Sequence, residues 1–401
     1  MLKYEILLLG KLYNMESDKA QLSFRKVLLS SWELTTEAAI RFKWHDFFES
    51  VPEWKTLWLK ESQGLWSRYD WEYEFLFDNF DQELFDKELS QKSSSQISTA
   101  VSLAYMKARA YELWYDFNEL YKFFSKEYWS SVNIPNIICN ILNWWKHASN
   151  KLSFCEFMII PQWLNLEENV KIASEIYLDL WKIIEKELWA ENLYIWREWW
   201  FAPHLSSNRQ AIALIDEAIN KRNNWKCKIA IDIAANNFSV KDNNNFKYNV
   251  DGQRLSTNEL VKYYYSIIKE YPNLIYLEDP FHEEDFEWWK ILKNNIWDFI
   301  MIVADDLTIT KVENIEKYIN LFNACILKLN QAWTFSEFIN SYNVCKNYWI
   351  KTIVSQRSWE TDSNLISHIA VWLWSNYLKA GAPARERIVK YNELMRITSK
   401  Y

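Results

Sequence analysis

Glycine is almost absent from this chain, with 4 in 401 residues against an ordinary share of roughly 7%. A folded domain needs glycine wherever its backbone takes a positive φ, and four cannot supply the turns of a protein this long. Tryptophan is correspondingly abundant, at 25 residues. Glycine and tryptophan together make up about the usual share of glycine. The codon UGA lies one base from the tryptophan codon UGG and one base from the glycine codon GGA. A lineage that reads UGA as glycine gives this composition when its genes are translated with UGA as tryptophan. Most of these tryptophans are therefore read as glycines. The competing reading is a truly tryptophan-rich protein that stacks sugars or aromatic ligands. On the first reading, several tryptophans should sit in turns at positive φ or crowd the mouth of the functional site.

Other absences narrow the class. Basic residues are not in excess: the formal net charge is −7, which excludes a basic nucleic-acid binder. No apolar run approaches the ~18 residues of a membrane span. The apolar stretch Tyr4–Leu9 is too short for a span and is not read as a secretory signal. The five cysteines (Cys139, Cys155, Cys227, Cys325, Cys345) are odd in number and include no CxxC pair. That pattern fits a reduced cytoplasmic enzyme better than a disulfide scaffold or a zinc site. Charged residues at 25% and hydrophobic residues at 49% exclude a disordered or collagen-like chain.

The chain divides into three parts. Residues 1–20 show no clear pattern and read as an extension. Residues 21–128 read as a small α+β domain. Leu22–Leu28 and Thr35–Phe42 alternate as antiparallel strands around a turn at Ser30–Glu33, and Val101, Ala104, Tyr105 and Ala108 recur with helical spacing. Residues 129–401 change character. Short apolar runs end in a charged or polar group and are followed by helical segments. The runs are Ile229–Ile233 with Asp232, Leu274–Leu277 before Glu278, Phe299–Ala304 before Asp305, Cys325–Leu329 with Lys328, Ile350–Val354 before Arg357 and Asn376–Leu378 before Lys379. This repeat predicts an α/β fold with a C-terminal (β/α)8-type barrel, which needs about 250 residues. The Asn-rich stretch Asp242–Asn245 reads as a hairpin tip.

Barrel enzymes carry their chemistry at the C-terminal ends of the strands. Any single charge there could be a simple strand cap; six in register point to a site. Asp232, Glu278 and Asp305 end successive strands. Three converging carboxylates repel one another unless a hard cation lies among them, and an oxygen-only set suits Mg²⁺. Lys328, with its ammonium disfavoured by neighbouring cations, is a candidate base. Arg357 and Ser358 offer a guanidinium fork and a hydroxyl suited to phosphate. Glu156 and Glu198 are candidate acids, since crowded carboxylates push at least one pKa upward. His45, His204, His282 and His368 are isolated and read as surface or core residues.

These residues stand in motifs that resemble enolase (phosphopyruvate hydratase) closely. Leu277-Glu278-Asp279-Pro280-Phe281, Val303-Ala304-Asp305-Asp306-Leu307-Thr308, Leu327-Lys328-Leu329-Asn330-Gln331 and Lys379-Ala380-Gly381-Ala382-Pro383-Ala384-Arg385 match that family's segments. The resemblance covers about residues 21–396. It is fainter before residue 133, where Val51–Thr56 resembles a mobile catalytic loop. Tryptophans stand where the family has glycine: Trp144 and Trp145 before His147, Trp196, Trp199 and Trp200 around Glu198, and Trp54, Trp58, Trp333, Trp359, Trp372 and Trp374. Trp289 is the expected genuine tryptophan.

The resemblance implies Mg²⁺-dependent, reversible dehydration of 2-phosphoglycerate to phosphoenolpyruvate in glycolysis and gluconeogenesis, with two Mg²⁺ per active site. It implies that Asp232, Glu278 and Asp305 hold the first Mg²⁺ and that Thr56 helps hold the second. Lys328 is the implied base, and Glu198 the implied acid, supported by Glu156. Lys379, Arg357, Ser358, Gln356, His147 and Thr56 are implied substrate contacts. A cytoplasmic homo-oligomer, without nucleic-acid or membrane partners, is also implied. Arg197, Cys155 and Gln356 depart from the family pattern. These departures motivate two other readings: a catalytically weak scaffold, and another Mg²⁺-dependent acid dehydratase of the same superfamily.

Overall fold

The computed structural model describes residues 19–29, 34–42, 44–50, 52, 73–76, 81–92, 95–127, 133–143, 152–162, 165–188, 200–222, 226–242, 245–296 and 298–400. The first unit is a sheet of β1 (Lys19–Leu28), β2 (Leu34–Phe42), β3 (His45–Ser50) and β4 (Tyr73–Leu76), ordered β3-β2-β1-β4. Strands β1 and β2 pair antiparallel from Gln21↔Arg41 to Leu28↔Leu34, as the alternation predicts. Helices α1 (Gln82–Lys92) and α2 (Ser95–Glu112) follow. Ile97, Val101, Ala104, Tyr105 and Ala108 form one helical face of α2 and pack on Leu22, Ala38, Ile40, Phe42 and Phe47 of the sheet.

Helix α3 (Leu120–Glu127) behaves differently. Its buried Leu120, Tyr121, Phe123 and Phe124 join the core of the following barrel, not that of the small sheet. The sequence division at residue 128 thus falls after a helix that packs on the barrel. Buried polar bonds tie the two units together. Ser336 donates through its N–H and its hydroxyl to Asp86 Oδ2, at 2.9 and 2.7 Å. The Phe335 N–H donates to Ser102 Oγ at 2.9 Å.

The barrel contains β5 (Asn136–Asn143), β6 (Glu156–Pro161), α4 (Leu166–Leu188), α5 (Asn208–Asn220) and β7 (Cys227–Asp232). A three-stranded excursion of β8 (Ser239–Asp242), β9 (Asn245–Val250) and β10 (Gln253–Ser256) comes next, then α6 (Thr257–Glu270). The regular repeat runs through β11 (Leu274–Glu278), α7 (Phe286–Asn295), β12 (Met301–Ala304), α8 (Val312–Tyr318), β13 (Ala324–Leu327), α9 (Leu329–Ala332), α10 (Phe335–Asn347), β14 (Lys351–Ser355), α11 (Leu365–Trp372), β15 (Tyr377–Ala380) and α12 (Glu386–Thr398). The strands close in the order β11-β12-β13-β14-β15-β5-β6-β7.

One strand departs from a regular (β/α)8 repeat: β6 runs antiparallel to both β5 and β7. Strand β6 pairs with β5 from Cys139↔Ile159 to Asn143↔Glu156, so the chain returns beside β5 in the opposite direction. The consequence is functional. The N-terminal end of β6 opens at the same mouth as the C-terminal ends of its neighbours.

Strand side chains alternate between faces, and the barrel sorts them cleanly. Ile138, Met158, Ile160, Ala230, Tyr276, Met301, Val303, Ala324, Ile326, Ile353 and Tyr377 fill its interior. Their strand neighbours, such as Ile137, Ile159, Ile231, Leu277, Ile302, Leu327 and Leu378, face the helices.

Three helix ends share a feature that local sequence cannot supply. After α2, Trp114 has φ 64°, its N–H donates to Tyr111 O at 2.9 Å, and the Tyr115 N–H donates to Ala110 O at 3.0 Å. After α10, Trp349 has φ 59°, with Trp349 N–H to Lys346 O at 3.1 Å and Ile350 N–H to Cys345 O at 2.9 Å. After α11, Trp374 has φ 55°, with Trp374 N–H to Val371 O at 3.3 Å and Ser375 N–H to Ala370 O at 3.0 Å. Each is a Schellman motif, whose left-handed residue is usually glycine. Trp114 is 89% exposed, Trp349 93% and Trp374 44%, so burial does not account for an indole there. Trp333, after α9, takes φ 83° and ψ −37°. In contrast, Trp289 is fully buried and donates Nε1 to His282 O at 3.2 Å. The chain keeps a true glycine at Asp251-Gly252, the two-residue turn joining Val250 to Gln253, where Gly252 has φ 78°.

Candidate active site

The interior face of the barrel determines what reaches its mouth. On five strands a site residue lies two past the last interior apolar side chain and on the same face: Asp232 follows Ala230, Glu278 follows Tyr276, Asp305 follows Val303, Lys328 follows Ile326 and Lys379 follows Tyr377. On the reversed strand the order inverts, and Glu156 precedes Met158. Asp232 lies opposite Glu278 on one side and Glu156 on the other.

Two lysines bind these carboxylates. Lys379 Nζ donates to Glu278 Oε1 at 2.8 Å and Oε2 at 2.7 Å, lies 2.9 Å from Glu156 Oε2 and stands 4.0 Å from Asp232 Oδ2. Lys328 Nζ pairs with Asp305 Oδ2. Tyr276 donates its hydroxyl to Glu278 Oε2 at 2.5 Å, and Asn140 Nδ2 donates to Glu156 Oε1 at 3.0 Å.

Burial and charge compete here. Burial, with Glu278 nearby, pushes the Asp232 carboxyl well up. Burial also raises Glu278, against the pull of Lys379. For Asp305, burial is outweighed by Lys328 and Lys379, and its pKa is lowered. Burial works against both ammonium groups. Even so, Asp305 raises Lys328, and Glu156 and Glu278 raise Lys379 well above the ordinary value. The sequence-level expectation of a disfavoured Lys328 ammonium is therefore not met by the protein groups alone.

The residues present fit a hard cation. Asp232 Oδ1 and Asp305 Oδ1 are buried and accept no hydrogen bond among the described residues, a costly state for a carboxylate oxygen without a ligand. The donors are all oxygens, as Mg²⁺ requires. Carboxylate oxygens of Asp279, Asp305 and Asp306 also lie within 4.8 Å of one another. Asp279, however, spends its oxygens on backbone: Oδ1 accepts the Asp305 N–H at 3.2 Å and Oδ2 the Asp306 N–H at 2.8 Å. It does so at φ 42°, which ties the end of β11 to the end of β12. Burial lifts its pKa to about 8, with help from Asp305 and Glu278.

Behind Lys328, Thr310 holds a strained φ of 52°. Its hydroxyl accepts the Lys328 N–H at 3.0 Å and donates to Gln331 Oε1 at 2.8 Å. Arg357 is buried, donating Nη1 to Asn330 Oδ1 and its N–H to Glu360 Oε2, both at 3.2 Å. Ser358 is exposed beside it. The buried Gln356 donates its N–H to Lys379 O at 3.1 Å. Cys155 is half-buried, its N–H on Asp232 O at 2.9 Å. Burial, with Asp232 and Glu156 close by, pushes its thiol well up, which makes it a poor nucleophile.

The structure thus brings together Glu156, Asp232, Glu278, Asp305, Lys328 and Lys379, with Gln356, Arg357 and Ser358 on the adjoining loop. Thr56, His147, Arg197 and Glu198 lie outside the described residues. Sequence reasoning missed Asn140, Tyr276, Thr310 and Asp279 as partners of the site. A signal existed for Tyr276, two residues before Glu278 and so on its face; none existed for Thr310.

A closed eight-stranded barrel with acids and lysines at its mouth defines the class of the molecule, and comparison places it further. Residues 131–401 match the family model described as enolase, C-terminal TIM barrel domain. The enolase of Methanosarcina acetivorans is 36% identical over 303 residues, covering 74% of this chain and 68% of the relative. That of Methanocaldococcus jannaschii is 38% identical over 303 residues, covering 74% and 69%. That of Methanosarcina barkeri is 37% identical over 274 residues, covering 67% of this chain and 63% of the relative. The matched part spans about two thirds of the length of these relatives. The chain belongs to the enolase family. Among the described residues, no helix is long and apolar enough to cross a membrane.

Proposed function

We propose that this chain interconverts 2-phosphoglycerate and phosphoenolpyruvate with Mg²⁺, as a hydro-lyase working in the cytoplasm. The observation that carries the reading is the meeting of Lys328–Asp305 with Lys379–Glu278–Glu156 at one barrel mouth. Asp232, Glu278 and Asp305 are the residues that would hold the metal. When bound, Mg²⁺ would supply positive charge for the substrate carboxylate, and Asp305 holds Lys328 charged until it serves as a ligand. Lys328 removes the proton from C2. Glu198, supported by Glu156, protonates the hydroxyl leaving C3 as water, and the electron pair released at C2 forms the new double bond. Lys379 lies where negative charge accumulates on the substrate. Arg357 and Ser358 hold the phosphate, and Gln356, His147 and Thr56 complete the contacts, with Thr56 also toward a second Mg²⁺. The intact set of acids and lysines favours this reading over a catalytically weak scaffold. Expressing the chain with glycine at the family positions and following phosphoenolpyruvate formation with and without Mg²⁺ tests it. A folded, Mg²⁺-binding protein without turnover overturns it.

The same reading extends to composition. The native protein carries glycine at most of its nominal tryptophans, through UGA read as glycine. The three Schellman ends at Trp114, Trp349 and Trp374 support this, because glycine takes the left-handed conformation freely and any other side chain there costs roughly 1–2 kcal/mol.

A further inference from the structure

The loop after β14 carries the two proposed phosphate ligands, Arg357 and Ser358, and its backbone is gripped from behind by α12. Arg387, in the first turn of α12, is completely buried. Its guanidinium donates Nη1 to Arg357 O and Nη2 to Ser358 O, each at 2.7 Å, and Nε to Glu386 Oε1 at 2.6 Å. One turn further along, Lys390 Nζ donates to Thr361 O. A buried guanidinium is costly unless its donors are satisfied, and here two of its three arms go to consecutive carbonyls.

We infer that Arg387 is a positioning residue for phosphate recognition, setting the affinity of the site for a phosphate monoester without touching it. The fork fixes two successive peptide planes. A carbonyl oxygen is the negative end of a peptide dipole, and a planar fork with fixed spacing can turn two of them away from an anion at once; a single ammonium cannot. Turning both carbonyls toward α12 leaves the Arg357 and Ser358 side chains to the anion. The loop closes on itself as well, since Glu360 accepts the N–H groups of Arg357 and Thr361 at 3.2 and 2.8 Å. Without Arg387, both carbonyls lose their donor, and the loop relaxes toward conformations that repel phosphate.

This inference rests on the proposed reaction, and the experiment separates the two. Wild-type chain, Arg387→Lys and Arg387→Gln are compared for kcat, for KM with 2-phosphoglycerate and for the inhibition constant of inorganic phosphate. Folding is followed by circular dichroism. The expected result for folded Arg387→Lys is a rise of about tenfold in KM and a parallel rise in the phosphate inhibition constant, with kcat within about threefold. Arg387→Gln should show a larger rise of both. A role confined to stability lowers the melting temperature and the active fraction, hence kcat, and leaves KM and phosphate inhibition unchanged; that outcome overturns the inference. Where neither Arg387 variant folds, Glu386→Gln keeps the guanidinium and loosens its anchor. A rise of about threefold in KM supports the inference, and an unchanged KM in the folded variant overturns it. Absence of turnover in the wild-type chain sinks the reaction instead, and phosphate binding measured by calorimetry on the same variants then decides the role of Arg387 alone.

Discussion

Glu156 stands directly opposite Asp232 across an antiparallel ladder, so an acid from the start of one strand and a metal-ligand candidate from the end of another open at the same mouth. Glu156 also lies 2.9 Å from Lys379. Glu156→Gln preserves shape and removes charge. Its kcat should fall by about 10²-fold or more, while Mg²⁺ affinity measured by calorimetry changes little. A variant with unchanged kcat removes Glu156 from the acid machinery.

Lys328→Ala should abolish turnover and retain Mg²⁺ binding, because the metal-ligand candidates carry no ligand role for the lysine. Single-turnover assays with equilibrium metal titration check both halves. Retained activity would mean that the base is elsewhere.

The unsatisfied oxygens of Asp232 and Asp305 predict that Mg²⁺ stabilises the fold. Adding Mg²⁺ at about 100 times its dissociation constant should raise stability by roughly 2.7 kcal/mol. Asp305→Asn should lose most of that gain. Thermal melts with chelator and with Mg²⁺ read the difference directly, and an equal shift in the variant argues against Asp305 as a ligand.

Asp86 joins the small domain to the barrel through Ser336, and burial lifts its pKa from 3.8 to about 6, against the hydrogen bonds from Ser102 and Ser336. Below pH 3.8 both folded and unfolded states carry its proton. Between 3.8 and about 6 the unfolded chain loses that proton first, so stability falls as pH rises. Above about 6 the loss is complete, at roughly 3 kcal/mol. Asp86→Asn removes this slope. Its amide nitrogen takes the place of the oxygen that accepts from Gln82 Nε2 at 3.0 Å, so the Gln82 amide must turn its oxygen, a buried atom without a hydrogen bond, toward the new donor. Denaturant titrations at pH 4.5 and 7 should show the variant gaining on wild type at the higher pH; parallel curves refute it.

Peptide masses of the native protein decide the tryptophan question residue by residue. In the literal tryptophan chain, Trp349→Gly and Trp114→Gly should each stabilise by about 1 kcal/mol. Trp289→Gly should cost roughly 3–5 kcal/mol, because it empties a buried, hydrogen-bonded indole site. Tryptophan masses at 114, 349 and 374 would refute the recoding.

Much of the barrel is legible in the sequence. The apolar runs ending at Asp232, Glu278, Asp305, Lys328 and Lys379 are strands because each is short, β-rich and bounded by a polar end, and the structure places those ends at one mouth. The reversal of β6 was not legible, because direction depends on which strands close the barrel. Nor was the assignment of α3 to the barrel core legible. An amphipathic helix shows that it has an apolar face, and its sequence does not say which neighbour covers that face.

The sequence by itself determined the family and the residue types of the site, because strand periodicity and motif spacing are local properties. Only the tertiary structure decided that Lys328 pairs with Asp305, that Asp279 spends its carboxylate on the backbone of the adjacent strand, and that Arg387 grips the Arg357–Ser358 loop from behind. Those contacts join residues distant along the chain, and closure of the barrel is what sets them beside one another.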